Sequence, residues 1–247
     1  MSGASTPLNG RSIVVTRASH QNDALRDRLT GLGARVVEMP LLAIVEPDDE
    51  GRERDAVLQR FHEFDWIVVT SPNGAERVAP FLRAAVAAGD HSSFPKLAVV
   101  GAATQRSLGA SAALVADPSR AEVLVQMFPE GSGDVLIVQG NLADDVVPSG
   151  LAVKGWNVTT VVAYQTVKVV PTHDQREAVG GADVLLLASS SAASAWHDAF
   201  GTSTPAVVVA IGPSTQRTAL ALGLHVSHLA DEQSIDGLVA ATVRALA

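Results

Sequence analysis

The chain has 247 residues, 47% of them apolar and 18% charged, which is the composition of an ordinary globular protein of one or two domains. Its formal net charge of −8 provides no overall attraction to nucleic acids or anionic lipids, so we expect neither as a partner. Because the sequence contains no cysteine, disulfides, thiolate nucleophiles and cysteine-ligated metal sites are excluded.

Residues 1–10 and the lengths of the apolar runs bear on the compartment. Residues 1–10 are polar and lack the basic and apolar regions of a secretory signal. No apolar run reaches the roughly 18 residues needed to cross a bilayer. We therefore expect a cytoplasmic protein without membrane contact.

Apolar runs of strand length alternate with amphipathic stretches along the whole chain. The predicted strands cover residues 12–16, 35–39, 66–70, 97–100, 135–138, 158–163, 184–188 and 207–211. Most of these runs are continuous in Val, Ile and Leu, which is typical of strands buried on both faces of a parallel sheet. The pattern predicts an α/β fold with mainly parallel sheets covered by helices on both sides.

Internal repeats indicate that the chain contains two related parts. Residues 12–40 match residues 134–162 at a constant offset of 122, which aligns a strand and the glycine before the next strand. Two further pairs match as well, residues 65–71 with 183–189 and residues 100–106 with 211–217. The copies occur in a permuted order, and a discontinuous first domain explains this order.

The permuted repeats predict two similar three-layer, doubly wound domains of the flavodoxin-like type, each with a parallel sheet. Domain 1 is expected to combine residues 1–40 with residues 168–247, and domain 2 to be inserted at residues 46–162. The connecting segments, residues 40–47 and 163–171, are extended and β-branched, and we expect them to pair as a two-stranded hinge. One large doubly wound sheet is the alternative.

Small polar residues and glycines follow several predicted strands, at or just before the start of a helix. They are Thr70, Ser71, Asn73, Gly101, Thr104, Ser190, Ser191, Gly212, Ser214 and Thr215. Ligands of open α/β sheets bind beyond the carboxyl ends of the strands, where helix N-termini offer free N–H groups to carboxylates. The same residue types also serve as ordinary helix caps and turns, which is the structural alternative.

Two larger side chains are candidates for chemical roles. Tyr164 is the only tyrosine and lies in the predicted hinge, where its phenol can donate a proton without first being ionised, although strand packing is the alternative. Arg17 ends the first predicted strand, where it would bind a carboxylate or lie free on the surface. Dinucleotide, phosphate-loop and zinc-protease motifs are absent from the sequence, and we expect no metal and no cofactor.

The motifs that contain these residues resemble those of the uroporphyrinogen-III synthase family over essentially the whole chain. The resemblance includes Val15-Thr16-Arg17 and the strand and loop of residues 64–74, which end in Thr-Ser-Pro-Asn-Gly. It also includes the two Gly-x-x-Thr turns at residues 101–104 and 212–215 and the segment Val162-Ala163-Tyr164. The order and spacing of these motifs are similar to those of the family.

This resemblance implies a cofactor-free lyase that cyclises hydroxymethylbilane to uroporphyrinogen III in tetrapyrrole (haem) biosynthesis. Loss of water would give an azafulvene, ring D would attack to form a spiro intermediate, and reclosure would leave ring D inverted. The resemblance implies that Tyr164 assists the departing hydroxyl. It also implies that the small polar residues, with Arg17 and Gly140, hold the substrate. The expected partner is this linear tetrapyrrole, and the expected oligomeric state is a monomer.

Two positions depart from the family pattern. Gln139 stands where the family often has an arginine before Gly140, and Ala188 stands where the family commonly has a threonine. Both changes weaken the expected binding of substrate carboxylates. The main alternative is therefore a non-catalytic module that binds a tetrapyrrole or another polyanion. A hinge-type solute receptor is a third possibility, but it would require export.

Overall fold

The structure is a computed structural model that describes residues 6–16, 23–89 and 94–247. The chain divides into two compact units. Unit 1 comprises Met1–Ala43 and Val167–Ala247, and unit 2 comprises Ile44–Thr166.

The described residues form strands and helices that alternate along the chain. The strands are β1 (Ser12–Val15), β2 (Arg35–Glu38), β3 (Leu42–Val45), β4 (Trp66–Val69), β5 (Lys96–Val100), β6 (Leu114–Ala116), β7 (Asp134–Gly140), β8 (Asn157–Lys168), β9 (Val184–Leu187), β10 (Val207–Ala210) and β11 (His228–Leu229). The helices are α1 (Asp23–Gly31), α2 (Arg52–Leu58), α3 (Pro72–Ala87), α4 (Ala102–Leu108), α5 (Ala121–Met127), α6 (Val146–Val153), α7 (His173–Val179), α8 (Ser190–Phe200), α9 (Pro213–Ala221) and α10 (Ile235–Leu246), with a 3-10 helix at Phe61–Glu63. All eight predicted strands form, seven of them within two residues of their expected bounds, whereas β8 continues five residues beyond its expected end.

Unit 1 is built on a five-stranded sheet in the order β2-β1-β9-β10-β11, in which every neighbouring pair is parallel. Successive side chains of a strand point to opposite faces. Ile13 and Val15 therefore join one core with residues of α1 and α10. Val14 joins a second core with Trp196 of α8 and Ala219 of α9. Apolar residues on both faces explain why the strands of this unit appear as continuous apolar runs.

Unit 2 has the same design. Its sheet has the order β3-β8-β7-β4-β5-β6, and the β8-β7, β7-β4, β4-β5 and β5-β6 pairs are parallel. Ile67 and Val69 pack with residues of α2, α3 and α4 on one face. Trp66 and Val68 pack with residues of α5 and α6 on the other face. The sheet is therefore the middle of three layers.

The internal repeats correspond to equivalent strands of the two sheets. Matching β1 with β7, β2 with β8, β9 with β4 and β10 with β5 converts the order β2-β1-β9-β10-β11 into β8-β7-β4-β5-β6. The order in unit 1 is that of flavodoxin-like folds. The sheet orders thus agree with the permuted repeats, and the α/β class with parallel sheets is confirmed.

Strand β3 lies within residues 40–47, and the last residues of β8 lie within residues 163–171, the two segments that were expected to pair. They are neighbours in the six-stranded sheet. Beyond them, the N–H of Val169 donates to the carbonyl oxygen of Leu41 at 2.9 Å. Residues 157–168 form one continuous strand of 12 residues, longer than predicted. That these segments act as a hinge stays a prediction.

Candidate functional site

The candidate site of unit 2 lies where the strand order of its sheet reverses. From β4 the chain continues to β5 and β6 on one side, whereas β7 and β8 lie on the other side. The carboxyl ends of β4 and β7 are adjacent, and the N–H of Thr70 donates to the carbonyl oxygen of Val138 at 3.3 Å. Crevices outside such reversals are the usual ligand sites of open α/β sheets.

Tyr164 projects to this reversal from β8. A register shift between Gln139 and Gly140 places Tyr164 opposite Gly140. The N–H of Asn141 donates to the carbonyl oxygen of Tyr164 at 3.2 Å, which fixes the backbone after the shift. The side chain is buried, and its phenol donates to Oγ of Ser71 at 3.0 Å. The structure thus joins two predicted site residues that are distant in the sequence.

Ser71 is the N-cap of α3, and its Oγ has two roles. Its backbone is extended, with φ −153°, and its Oγ accepts the N–H of Gly74 at 3.1 Å. The same oxygen accepts the proton of Tyr164. A serine hydroxyl has one proton and two lone pairs, so both acceptor positions are filled and its own proton stays available to a third group.

Gly140 leaves the space that the tyrosine ring occupies. A Cβ atom at this position would lie 2.6 Å from Cζ and 2.8 Å from the phenol oxygen of Tyr164. Ordinary contacts between carbon atoms are about 3.5–4.0 Å. Only glycine at this position is therefore compatible with the observed ring.

Three charged side chains that the sequence analysis did not select form a network beside Tyr164. The guanidinium of Arg77 lies 5.5 Å from the ring centroid. Its Nε donates to Glu46 at 3.0 Å and its Nη1 to the carbonyl oxygen of Asn73 at 3.0 Å. Nη1 of Arg54 donates to Glu46 at 2.5 Å and to the carbonyl oxygen of Ala163 at 2.8 Å. Charged residues near a helix start are usually solvated, so their spacing gave no signal.

Glu46 is held as a carboxylate by these two arginines. Burial by itself raises the pKa of Glu46, but the hydrogen bonds and charges of Arg54 and Arg77 lower it by more. Its pKa consequently lies below the ordinary value for glutamate. The group is thus a stable anion at neutral pH.

Gly101 and Thr104, at the end of β5, have mainly structural contacts. Gly101 has φ +86° and ψ 156°, a conformation essentially restricted to glycine, and a Cβ atom there would lie 2.2 Å from Oγ of Ser119. Thr104 is buried, and its hydroxyl donates to the carbonyl oxygen of Val100 at 2.8 Å. The side chain of Thr104 is thus used inside the protein.

In unit 1 the equivalent residues follow β9 and β10. Oγ of Ser190 and Oγ of Ser214 lie 3.3 Å apart at the starts of α8 and α9. Ser191 is exposed, whereas Thr215 is buried. Gly212 is the N-cap of α9, and a Cβ atom there would lie 2.8 Å from the side chain of Gln233. The structure therefore brings together the two serine hydroxyls. Arg17 lies outside the described residues.

The described residues show neither a metal cluster nor a membrane helix. Among residues 6–16, 23–89 and 94–247, no group of three or more histidine and acidic side chains is placed to hold a metal ion. No helix in the same ranges is long and apolar enough to cross a membrane.

Comparison with known proteins identifies the family. The family model described as uroporphyrinogen-III synthase HemD matches residues 23–240. A rice protein named uroporphyrinogen-III synthase, chloroplastic, is 32% identical over 254 residues, which covers 95% of this chain and 80% of the rice protein. This chain belongs to the uroporphyrinogen-III synthase family. A protein of Synechococcus elongatus with the same enzyme name is 34% identical over 131 residues, or 51% of this chain and 48% of that protein.

Solved structures of uroporphyrinogen III synthases have the same fold. A mutant of the Thermus thermophilus protein matches with a TM-score of 0.66 and 17% identity, covering 96% of this chain and 99% of that one. The Helicobacter pylori protein matches with a TM-score of 0.63 and 15% identity, covering 95% and 99% of the two chains. The predicted resemblance to the uroporphyrinogen-III synthase family is confirmed.

Proposed function

We propose that this chain is a uroporphyrinogen-III synthase, a lyase of tetrapyrrole biosynthesis that cyclises hydroxymethylbilane to uroporphyrinogen III. One observation carries the proposal for its chemistry: the phenol of Tyr164 donates to Ser71 at the N-terminus of α3, where the strand order reverses. Family membership over residues 23–240 supports the choice of reaction. The proposed enzyme is a cytoplasmic monomer without a cofactor.

The reaction begins when the terminal hydroxyl of hydroxymethylbilane leaves as water, and this departure requires a proton. In our proposal Tyr164 donates its phenol proton to that hydroxyl, and Ser71 holds the phenol oxygen in place. Loss of water leaves an azafulvenium cation with its pyrrole N–H in place, and the substituted carbon of ring D attacks this cation to form a spiro intermediate. Fragmentation and reclosure invert ring D, and the proton lost from the pyrrole in the final step restores the phenol.

Binding is proposed to depend on local donors, because the protein has a net charge of −8 and the substrate is a polycarboxylate. The N-termini of α3, α8 and α9 supply free N–H groups with a partial positive charge. Ser190, Ser191 and Ser214 add hydroxyls, whereas Thr104 and Thr215 contribute through their backbone because their side chains are buried. Arg17 is retained in the proposal as a carboxylate partner.

The enzyme's main task in this scheme is to hold a flexible chain of pyrroles in the shape that favours the spiro path. Well-oriented intramolecular reactions reach effective molarities of about 10⁵–10⁸ M, so orientation alone accounts for much of the rate. The proposed reaction then needs only one proton-donating side chain, and Tyr164 supplies it.

Incubation with freshly made hydroxymethylbilane tests the proposal. We expect the wild-type protein to yield isomer III and Tyr164→Phe to lower kcat by up to about 100-fold, the lower end of general-acid contributions. Thr242→Val is the matched control, because it removes a buried hydroxyl that donates to Leu238 in α10. Isomer I alone, formed at the uncatalysed rate, would contradict the proposed activity.

A non-catalytic tetrapyrrole-binding module is the second candidate. Gln139 favours it, because a neutral side chain precedes Gly140 where the family often has an arginine. Binding of hydroxymethylbilane without formation of isomer III would support this candidate. Light scattering during gel filtration tests the proposed monomer independently of activity.

A further inference from the structure

Glu46 connects two arginines that contact different parts of the tyrosine residue. One carboxylate oxygen accepts a hydrogen bond from Nε of Arg77 at 3.0 Å and forms an ion pair with Nη2 of Arg77 at 2.7 Å. The other carboxylate oxygen accepts a hydrogen bond from Nη1 of Arg54 at 2.5 Å. The carboxylate of Glu46 therefore contacts both guanidinium groups, and Asp55 in addition accepts a hydrogen bond from Nε of Arg54 at 2.7 Å.

Arg77 acts on the ring of Tyr164. Its guanidinium carbon lies 5.5 Å from the ring centroid, within the range of a cation–π interaction. Its Nη1 is also bonded to the carbonyl oxygen of Asn73, and its side chain is 18% exposed. These contacts restrict the guanidinium and, through the cation–π contact, the ring of Tyr164.

Arg54 acts on the backbone before the ring. The residue is 8% exposed, and Nη1 donates to the carbonyl oxygen of Ala163 at 2.8 Å. The backbone of Gly51 approaches the guanidinium so closely that a Cβ atom there would lie 2.3 Å from Nη2 of Arg54. Arg54 is thus a buried cation with a fixed position, and it fixes the peptide that precedes Tyr164.

We propose that Glu46 is a positioning residue for Tyr164: it holds Arg77 at the ring and Arg54 at the preceding carbonyl, and so sets the direction of the phenol O–H. Glu46 itself does not touch the phenol. A glutamine at this position keeps the shape, but its NH2 group replaces one carboxylate oxygen and cannot accept a hydrogen bond from the arginine that it faces, and the negative charge is lost. The kinetic part of this inference rests on the proposed function, whereas its spectroscopic part does not.

Glu46→Gln is the test variant, and Glu63→Gln is the control. Glu63 pairs with Arg60 at 3.3 Å in the same unit, and both side chains are at least half exposed. Because a misplacement of about 1 Å can cost about 100-fold in rate, we expect Glu46→Gln to lower kcat by about tenfold while KM changes by less than about twofold. The control should leave both constants unchanged.

A double variant distinguishes positioning from general damage. If Glu46 acts through the phenol O–H, Glu46→Gln has little further effect on kcat in a Tyr164→Phe background. A purely structural defect would lower kcat equally in both backgrounds, and that result would overturn the proposal.

Tyr164 is the only tyrosine, so protein labelled with [ζ-13C]tyrosine gives one tyrosine signal. We expect Glu46→Gln to shift this signal and Glu63→Gln to leave it in place. An unchanged signal in Glu46→Gln, together with wild-type kcat, would refute the positioning role. If wild-type protein forms no isomer III, the proposed function fails, and the labelled tyrosine still decides the positioning. Should Glu46→Gln not fold, Arg77→Met is measured by the same criteria.

Discussion

Replacement of Gly140 by alanine tests the geometry of the site most directly. The backbone at residue 140 does not have a positive φ, so alanine introduces no backbone strain. The new Cβ atom would lie 2.6 Å from Cζ of Tyr164. The substitution therefore adds one atom, and the ring of Tyr164 has to move to accommodate it.

The required movement follows from the contact distances. Non-bonded carbon atoms lie about 3.5–4.0 Å apart, so the ring must move by about 1 Å. The phenol is 3.0 Å from Oγ of Ser71, and a movement of this size breaks or misaligns the hydrogen bond. We expect kcat for isomer III to fall by up to about 100-fold, close to the effect of Tyr164→Phe. Overpacking should also destabilise the protein by about 1–3 kcal/mol.

Steady-state assays of isomer III formation measure the kinetic effect, and urea denaturation verifies that the variant is folded under assay conditions. Gly31→Ala is the matched control, because no atom lies within 4 Å of a Cβ built there. In combination with Tyr164→Phe, the alanine should have little additional effect on kcat. A folded Gly140→Ala protein with wild-type kcat would refute the assigned role of the phenol position.

Three other changes test single contacts. Ser71→Ala removes a helix cap and the hydrogen-bond partner of Tyr164, so we expect the free energy of unfolding in urea to fall by about 1 kcal/mol and kcat to fall as well. Ser234→Ala, which removes the N-cap of α10, is the control and should lower only the free energy of unfolding. The pKa of Glu46 is lowered in the folded protein, so its carboxylate stabilises the fold at neutral pH. The difference in unfolding free energy between wild type and Glu46→Gln should therefore shrink as the pH falls below the ordinary glutamate pKa of about 4.3. Unfolding at several pH values measures this difference. Gly101→Ala should cost about 1–3 kcal/mol of stability from backbone strain, and the clash of the new Cβ atom with Ser119 adds a separate steric cost. Ser119→Gly in the same protein should remove the steric cost and leave the cost of backbone strain.

The fold was largely predictable because its strongest signals are local. Strands buried on both faces must be apolar at every position, and runs such as residues 66–69 and 184–187 have this property. The repeats then predicted equivalent strands in two sheets. Strand β6 was missed because it has only three residues, and β11 because it has two and begins with a histidine.

Strand β3 was predicted only as an extended connection, and β8 was predicted to end at residue 163. Both extend the six-stranded sheet, and β8 continues to Lys168. Pairing partners determine where such strands end, and these partners are far apart in the sequence. The two segments were expected to pair, but that they belong to the six-stranded sheet could not be obtained from local apolar periodicity.

The residue types of the candidate site were predictable, but their environments were not. Ser71 and Thr104 occupy similar places in the sequence, after a strand and near a helix start. Ser71 bonds to Tyr164, whereas the hydroxyl of Thr104 bonds back to Val100 inside the protein. A sequence pattern does not distinguish a helix cap that contacts Tyr164 from a hydroxyl that donates to the carbonyl of the preceding turn, because serine and threonine are common in both roles.

By itself the sequence determined the α/β class and the repeated strands and indicated the lone tyrosine as a candidate, because these depend on residue type and local spacing. Only the tertiary structure placed Tyr164 against Ser71 and Gly140, with Arg77 at its ring. It also joined Arg77 to Arg54 through Glu46. These contacts join residues from separate strands and helices. Their distances and charges arise only when the sheet is assembled and the register shift at Gly140 directs the ring toward α3.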